Sequence, residues 1–255
     1  MIDLHCHILH GVDDGPQSIE ESLSMARVAV NDGIHSVVAT PHTLNGIYLN
    51  RVEEVISKVA TLQNVLSENY IELKVYAGAI VHLCPRLLER IESGDACTIG
   101  NRRKYLLLEF PPQVIPTAIR DEVFWLKLNG ITPIITHSER NAVIQHNVDI
   151  LYELVSMGAL IQMSAMSITG DFGGVIMQCA ESLLRYRLVH VIASDAHSAD
   201  MRPPILSHAV DSAAEILGSY EEAYSMVNDV PASILSGEVL EILEPFHAKQ
   251  CHSCV

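Results

Sequence analysis

The sequence has 255 residues, of which 49% are hydrophobic, and a formal net charge of −15 at pH 7. A chain of this length and composition buries a large core and fits one domain, and its negative charge repels polyanions, which argues against nucleic acid as a partner. No apolar run reaches the roughly eighteen residues that span a bilayer, and no basic segment precedes an apolar stretch at the N-terminus, so we expect a soluble, cytoplasmic protein without stable membrane insertion.

The first half of the chain alternates between short apolar runs and segments with helical periodicity. Ser18 and Glu21 have the spacing of a capping box, which predicts a helix that Gly33 ends. Apolar runs rich in β-branched residues are typical of strands buried in a parallel sheet. In order, we predict a strand over 2–5, a helix over 19–33, a strand over 36–40, a helix over 52–66, a strand over 71–81 and a short helix over 85–91.

The second half repeats this alternation. We predict strands over 104–108, 131–136, 159–164 and 188–194, and helices over 118–128, 148–157, 175–186, 205–217 and 221–228. Seven strands that alternate with helices predict parallel βαβ units, and we favour an α/β fold with a distorted seven-stranded, TIM-like (β/α)7 barrel. A doubly wound open sheet is the alternative. We expect one domain over residues 1–245 and a flexible C-terminal tail over 246–255.

Metal-ligating residue types follow most of the predicted strands. His5 and His7 are two residues apart where the first strand ends, so period-two alternation directs both imidazoles to one side. Any one such residue would be explained as a loop residue or a helix cap, but their recurrence at the same place in successive units predicts a metal site at the carboxyl ends of the strands. The set is His5, His7, Asp14, His42, Glu109, His137, Asp195 and His197.

This set of imidazoles and carboxylates is too large for one ion and suits two or three, with a carboxylate such as Glu109 bridging. Ions held in this way polarise a phosphoryl group, lower the pKa of a bound water and stabilise the leaving oxygen. The pattern therefore indicates a cluster of metal ions that could act on a phosphoryl group.

The sequence resembles the PHP (polymerase and histidinol phosphatase) superfamily. Over nearly its whole length it is similar to the bacterial manganese-dependent protein-tyrosine phosphatases that are encoded with capsule and exopolysaccharide genes. The stretches that carry the resemblance are 1–9 (MIDLHCHIL), 12–15 (VDDG), 39–42 (ATPH), 108–111 (LEFP), 137–141 (HSERN), 193–197 (ASDAH) and 202–204 (RPP).

The resemblance implies a site with three ions. His5, His7, Glu109 and Asp195 would hold one ion, Glu109 and His137 a second, and Asp14, His42 and His197 a third. The phosphate-binding arginines of the family would be Arg140 and Arg202, whose planar forks match phosphate oxygens. Manganese is the implied metal, with iron, zinc, magnesium or cobalt as alternatives. The implied partner is the phosphotyrosine tail of a bacterial tyrosine kinase that controls polysaccharide synthesis, and the oligomeric state is left open.

One position departs from the family pattern. The family has a metal-binding glutamate at the end of the third strand, in a Gly-x-Glu pattern, and here the matching residue is Ile80. His82, two residues further and therefore on the same face, would substitute if the strand end were bulged. We instead favour an incomplete second-ion site filled by water, with altered metal preference or weaker activity as its consequence.

Three cysteines raise the alternative of a cysteine-dependent phosphatase. Cys84, Cys97 and Cys179 each precede an arginine with the Cys-x5-Arg spacing. No histidine stands immediately before any of the three, and the segment after Cys84 lacks the glycines of a phosphate cradle, so we set this mechanism aside.

Two further alternatives retain the metal site. The protein could be another PHP phosphoesterase, acting on histidinol phosphate or a nucleotide, or a non-catalytic, metal-stabilised binder of phosphorylated tails if Ile80 marks a degenerate site. Cys251 and Cys254 form a single Cys-x-x-Cys pair, which we interpret as part of the tail and not as a metal site.

Overall fold

The structure is a computed structural model that describes residues 1–240 and 245–246. Strands alternate with helices along most of this part of the chain. The strands are β1 (Ile2–Cys6), β2 (Ser36–Ala39), β3 (His42–Thr43), β4 (Lys74–Ala77), β5 (Ile80–His82), β6 (Tyr105–Glu109), β7 (Thr132–Thr136), β8 (Leu160–Ser164) and β9 (Val191–Ala193). The helices are α1 (Ile19–Asn31), α2 (Val52–Glu68), α3 (Leu87–Glu92), α4 (Ile119–Leu128), α5 (Ala142–His146), α6 (Asp149–Ser156), α7 (Ala165–Thr169), α8 (Gly174–Arg185), α9 (Ser207–Leu217), α10 (Tyr220–Ser225) and α11 (Asp229–Ser236).

The strands pair in parallel and form two sheets. One has three strands in the order β1-β2-β4, and the other has six in the order β3-β5-β6-β7-β8-β9. Cys6 forms an isolated parallel bridge with Ala196, and the Asp195 N–H donates to the His5 carbonyl at 2.9 Å, which links β1 to the segment after β9. The fold is therefore mixed α/β with parallel sheets, as expected from the alternation in the sequence.

Two paths of the chain through the sheets are interrupted, so that each contributes two short strands. Thr40 and Pro41 separate β2 from β3, and Gly78 and Ala79 separate β4 from β5. At the first gap, Pro41 has no N–H to donate. At the second, a Cβ on Gly78 would lie 2.6 Å from Val38 Cγ1, so the backbone after β4 passes too close to β2 for an ordinary side chain. The strand predicted over 36–40 corresponds to β2, and the short β3 after Pro41 was not predicted. The single strand predicted over 71–81 was wrong, because the chain is divided there at Gly78 and Ala79.

The helix predictions differ from the structure in the loops. Helices α5, α7 and α11 were not predicted, and the helix predicted over 221–228 ends at Ser225. Both α5 and α7 have five residues, too few for an apolar periodicity to stand out.

The core consists of two apolar clusters. The smaller one collects alternate residues of successive strands, including Leu4, Val38, Leu107 and Ile134, so they share one face of the sheets. The larger one fills the space between the opposite faces of the strands and the surrounding helices. Fixed between these layers, the strands present their carboxyl ends as a rigid support for side chains.

The segments near the C-terminus are only partly described. The Phe246 N–H donates to the Tyr186 carbonyl at 3.0 Å. The rest of the expected tail, with Cys251 and Cys254, lies outside the described residues. Within residues 1–240 and 245–246, no helix has the length and apolar character that crossing a bilayer requires.

Candidate metal centre

The structure brings the predicted ligand-type side chains together at the carboxyl ends of the strands. His5 and His7 come from β1 and the residue after it, His42 from β3 and Glu109 from β6, while His137, Asp195 and His197 lie in the segments that follow β7 and β9. The His7 ring centre is 3.8 Å from that of His197 and 4.7 Å from that of His42. The side chains thus form one continuous cluster.

A first group of donor atoms consists of His5, His7 and Asp195, whose ligand atoms all lie within 4.8 Å of one another. His5 Nε2 is 3.2 Å from His7 Nε2 and 3.1 Å from Asp195 Oδ1. The other nitrogen of each ring is engaged, because His5 Nδ1 lies 2.9 Å from Gln162 Oε1 and His7 Nδ1 lies 2.7 Å from Asp13 Oδ2. A proton on each Nδ1 leaves both Nε2 lone pairs directed at one point, which is how protein metal sites orient imidazole ligands.

A second group consists of His7, Asp14, His42 and His197, again with all ligand atoms within 4.8 Å of one another. Asp14 Oδ1 lies 3.7 Å from His42 Nε2 and 3.6 Å from His197 Nε2. Its side chain is 53% exposed, against 8% for His197, so this group opens to solvent through Asp14.

Glu109 lies between this second group and His137. Its Oε2 is 3.4 Å from His42 Nδ1, and its Oε1 is 3.6 Å from His137 Nε2. His82 pairs with Glu109 across β5 and β6, and its Nδ1 lies 3.9 Å from Glu109 Oε2. Glu109 and His137 therefore meet, but they belong to neither of the two compact donor groups among the described residues.

Ile80 occupies the place where the family pattern has a glutamate. Its side chain is fully buried in the smaller apolar cluster. It pairs directly with His42 on β3 and with Leu107 on β6, and paired residues of parallel strands point to the same face. The position thus faces the site but supplies no donor atom.

Asp195 also joins the two arginines to the cluster. Its Oδ2 accepts hydrogen bonds from Arg140 Nη1 at 2.7 Å and from Arg202 Nη2 at 2.6 Å. Arg140 and Arg202 are 33% and 27% exposed, so each guanidinium still reaches solvent. Two guanidinium groups beside a cluster of metal-ligating side chains can bind the oxygens of a phosphate.

Two of these residues have left-handed backbone conformations. The φ angle is 35° at His137 and 53° at Asp195, a region that residues other than glycine seldom adopt. At Asp195 the turn is fixed by its carbonyl, which accepts from Arg202 Nη2 at 3.0 Å and lies 2.9 Å from His197 Nδ1. The hydrogen bonds thus hold a strained turn that directs Asp195 and His197 into the cluster.

Burial and charge set the protonation of the cluster. Burial and the neighbouring His7 lower the pKa of His197 to about 2, and burial lowers the pKa of His137 to about 4. Burial alone would raise the pKa of Asp195, but the combined interactions with His5, His137 and Arg202 outweigh it and hold the pKa well below the ordinary value. For Asp13 burial also acts to raise the pKa, but the interaction with His7 and the backbone N–H groups of Gly15 and His42 together lower it to about 2. Neutral imidazoles and ionised carboxylates are the forms that bind metal ions.

Sequence reasoning missed several residues that hold the ligands in place. Asp13 accepts from the backbone N–H groups of Gly15 and His42 at 3.0 and 3.1 Å as well as contacting His7. Gln162 is fully buried in β8 between Ile161 and Met163, and a polar residue at such a position is a signal that could have identified it. Nothing in the sequence distinguishes the orienting role of Asp13 from the ligand role expected of Asp14 beside it.

The cysteines lack the features of a thiolate nucleophile. Burial raises the pKa of Cys97 and of Cys179 to about 12. Burial also raises the pKa of Cys84, although Arg90 opposes the effect. A thiol that stays protonated is a poor nucleophile, so the structure gives no support to the cysteine-dependent alternative.

Known proteins resemble this chain over most of its length. The family model "Capsular polysaccharide synthesis, CpsB/CapC" matches residues 1–236. The putative tyrosine-protein phosphatase CapC of Staphylococcus aureus is 37% identical over 229 residues, which cover 90% of this chain and 89% of that protein. The tyrosine-protein phosphatase YwqE of Bacillus subtilis is 36% identical over 202 residues, 79% of each chain.

Solved structures show the same relationship. A crystal structure from work on YwqE of Bacillus subtilis and CpsB of Streptococcus pneumoniae, described as unique metal-dependent tyrosine phosphatases, superposes with a TM-score of 0.92 and 32% identity, and covers 96% of this chain and 98% of that one. A β-aspartyl dipeptidase from Fervidobacterium islandicum shares the fold alone, with a TM-score of 0.56 and 14% identity over 95% of this chain and 75% of the other. The protein is therefore a member of the CpsB/CapC family of capsular polysaccharide synthesis.

Proposed function

We propose that this protein is a metal-dependent protein-tyrosine phosphatase, a phosphoric monoester hydrolase, that acts on the phosphotyrosine tail of a bacterial tyrosine kinase controlling polysaccharide synthesis. The observation that carries the proposal is that Asp195 contacts metal-ligating histidines with one oxygen and two arginines with the other. The names of the CapC and YwqE relatives support tyrosine phosphate as the substrate. Because kinases use ATP inside the cell, the proposal includes a cytoplasmic location.

In this proposal the ions are held by the residues expected from the sequence. His5, His7 and Asp195 would hold one ion, and Asp14, His42 and His197 another. Glu109, which the resemblance also assigns to the first ion, lies outside the first donor group and would form a third, weaker position with His137. The fit rests on the donor chemistry, because the Nδ1 atoms of His5 and His7 are engaged and their Nε2 atoms converge on Asp195. Mixed nitrogen and oxygen donors suit manganese, with iron, zinc, magnesium or cobalt as alternatives. When bound, such ions polarise the phosphoryl group and lower the pKa of the attacking water.

The side chains of the chain itself bind and orient the substrate. Arg140 and Arg202 receive the phosphate oxygens, and their shared contact with Asp195 holds the two forks at the edge of the ion cluster. Asp13 and Gln162 keep two histidine rings from rotating, which maintains the approach geometry from one turnover to the next.

We also propose that the strands form a single closed barrel with seven strand paths, in which β2 continues into β3 and β4 into β5. The links between β1 and the segment after β9 support the closure, and the short gaps between β2 and β3 and between β4 and β5 support counting each pair as one path. We also propose that residues 1–245 form one domain followed by a flexible tail.

Ile80 favours one competing function, a metal-stabilised binder of phosphorylated tails without turnover, because it leaves the position paired with Leu107, on the face that carries Glu109, without a donor atom. Another phosphoesterase activity, on histidinol phosphate or a nucleotide, would use the same cluster. Comparing turnover of phosphotyrosine peptides, histidinol phosphate and nucleotides with manganese separates all three.

The mechanism is tested by removing metal and thiols separately. We expect a chelator to stop phosphotyrosine turnover and added manganese to restore it, while replacement of Cys84, Cys97 and Cys179 with serine leaves turnover within about threefold, since their thiols stay protonated. Activity that resists the chelator and is destroyed by iodoacetamide would contradict the proposal and favour a cysteine mechanism.

A further inference from the structure

Phe172 lies in the short turn between α7 and α8, beside the two arginines of the site. Its ring centre is 4.9 Å from the guanidinium carbon of Arg140 and 5.9 Å from that of Arg202. We propose that Phe172 is the specificity-determining residue through which the site recognises the aromatic ring of its substrate. This inference rests on the function proposed above, because it assumes that the arginines bind a phosphate.

The turn that carries Phe172 is fixed before any substrate arrives. Gly170 and Gly173 have φ angles of 90° and 96°, which only glycine adopts without strain. The Gly173 N–H donates to the Gly170 carbonyl at 2.8 Å, and the Thr169 hydroxyl donates to the Asp171 carboxylate. This hydrogen-bonded turn therefore holds the ring of Phe172, which is partly exposed, beside the two arginines.

The position of the arginines determines where a substrate ring must lie. In an aryl phosphate only one ester oxygen separates the phosphorus from the ring, so a phosphate held by Arg140 and Arg202 brings the ring close to both guanidinium groups. Phe172 packs against the same two groups. Two aromatic rings attract each other at centre separations of about 4.5–7 Å, in offset or edge-to-face arrangements. A phosphoserine side chain offers no ring for this contact.

The other phenylalanines within the described residues are engaged elsewhere. Phe110 is buried in the core, Phe124 packs against Trp125 on α4, and Phe246 lies over Arg187. Phe172 is thus the phenylalanine that the fold places beside Arg140 and Arg202. Phe124, which is 54% exposed, provides a matched control for the loss of an aromatic ring.

The test is a binding measurement that does not depend on turnover. Calorimetry on the manganese-loaded protein compares phenylphosphonate with methylphosphonate, which carry the same anionic group with and without a ring. We expect the wild type to bind phenylphosphonate about tenfold more tightly, Phe172→Leu to lose this preference while its affinity for methylphosphonate is retained, and Phe172→Tyr and the control Phe124→Leu to keep it. The ratio of kcat/KM for phosphotyrosine and phosphoserine peptides should fall in parallel in Phe172→Leu.

The outcomes separate this role from two others. If Phe172→Leu bound both phosphonates equally more weakly than the wild type, the ring would only support the arginines. If Phe172→Leu kept the wild-type preference for phenylphosphonate, the ring would not contact the substrate. Either result overturns the inference. A wild type that prefers phenylphosphonate but hydrolyses no ester would contradict the proposed catalytic function and still support the role of Phe172.

Discussion

Asp195 serves two chemical purposes with a single carboxylate. Its Oδ1 lies 3.1 Å from His5 Nε2, whereas its Oδ2 accepts from both Arg140 and Arg202. A metal ion held by the histidines would therefore be attracted to the same carboxylate charge as the two guanidinium groups. Ion binding should weaken the hold of Asp195 on the arginines and leave their N–H groups available to phosphate.

Replacing Asp195 tests this arrangement. We expect Asp195→Ala to lower turnover at least about 100-fold and to weaken metal binding, because it removes a ligand and leaves two arginines without their shared acceptor. The ligand lies at a strand end, outside the apolar clusters, so the far-ultraviolet circular dichroism should stay close to that of the wild type. Asp195→Asn, which keeps the shape of the side chain, serves as the second variant. Wild-type turnover in a folded Asp195→Ala protein would refute the assignment.

A substitution of Ile80 is expected to raise metal binding and turnover, whereas Asp195→Ala lowers both. The Ile80 side chain faces the same side as those of His42 and Leu107, so Ile80→Glu places a carboxylate on the face that carries Glu109, two residues before the pair that His82 forms with Glu109. We expect the variant to bind one additional manganese ion, measured by metal analysis after gel filtration, and to show higher turnover. Without metal it should unfold at lower urea concentration than the wild type, because a buried carboxylate lacks compensation.

Ile80→Gln is the matched control, since it has the size of glutamate without the charge and should gain no ion. Three equally occupied ions in the wild type, with no ligand role for His82, would contradict the premise. A folded Ile80→Glu protein that gains neither metal nor rate would contradict the prediction itself.

Among single residues, the sequence identified the candidate ligands but not the residues that orient them. His5, His42 and Asp195 were identifiable because ligand-type residues recur after successive strands. Asp13 reaches His7 across 6 residues of the turn after β1, where the neighbouring Asp14 offers the same chemical group. The contact of Gln162 with His5 spans 157 residues and is fixed only by the packed strands. The contact of Phe172 with Arg140 depends on the same tertiary packing.

The turn after β1 is the element on which the orientation of His7 depends most. A Cβ on Gly15 would lie 2.5 Å from the His7 carbonyl oxygen and 3.0 Å from His7 Cβ. We expect Gly15→Ala to displace His7 from Asp13 and to lower manganese affinity about 10- to 100-fold, measured by titration with a metal indicator. The secondary structure should be retained, because the turn lies outside the strands and helices.

Gly174→Ala controls for the general effect of adding a methyl group. Gly174 is the first residue of α8, and no atom lies within 4 Å of its added Cβ. This variant should bind metal like the wild type and gain a few tenths of a kcal/mol in stability. If Gly15→Ala behaved in the same way, the turn would not set the position of His7.

At the element scale, prediction succeeded where one periodicity extended over many residues. The capping box and apolar spacing identified α1, and Ser18 does accept a hydrogen bond from the Glu21 N–H at 3.3 Å. It missed the two-residue strand β3 after Pro41 and the break between β4 and β5 at Gly78, because the close approach of Gly78 to Val38 has no local sequence pattern. The five-residue helices α5 and α7 were missed because they are shorter than the window that periodicity requires.

For the whole molecule, buried histidines make stability depend on pH. Burial lowers the pKa of His190 from 6.5 to about 4, and its Nε2 is buried without a hydrogen-bond partner among the described residues. Because the unfolded chain takes up this proton below pH 6.5 and the folded chain does not until about pH 4, stability is lost as the pH falls through this interval. We expect His190 to contribute about 2 kcal/mol to the loss between pH 7 and pH 5, measured by urea unfolding with a chelator present.

His190→Gln should make this loss smaller by about that amount. Glutamine still offers an acceptor to the Ile161 N–H, which donates to His190 Nδ1 at 3.1 Å, and it does not titrate. His208→Gln, at an exposed position on α9, should leave the pH dependence unchanged. Equal losses in the wild type and in His190→Gln would show that other groups cause the effect.

The class of fold and the edge of the sheets that carries the site followed from the order of elements alone. Alternating strands and helices force parallel pairing, and parallel pairing gathers all strand ends at one edge. The division into two sheets did not follow, since it depends on how closely β2 and β4 approach each other. In physical terms, local pattern specifies connectivity, while the path of the backbone depends on packing that the pattern does not encode.

His7 takes part in both donor groups, yet its Nδ1 is committed to Asp13, so a single lone pair on Nε2 remains to be shared. One coordination bond cannot serve two cations equally, so whichever ion takes the nitrogen lowers the affinity of the other position. Occupancy should then rise in two separate steps as the free metal concentration increases. A cell short of the metal would hold most of this enzyme in a half-loaded form, and the supply of a trace nutrient would set how fast its tyrosine phosphates are removed.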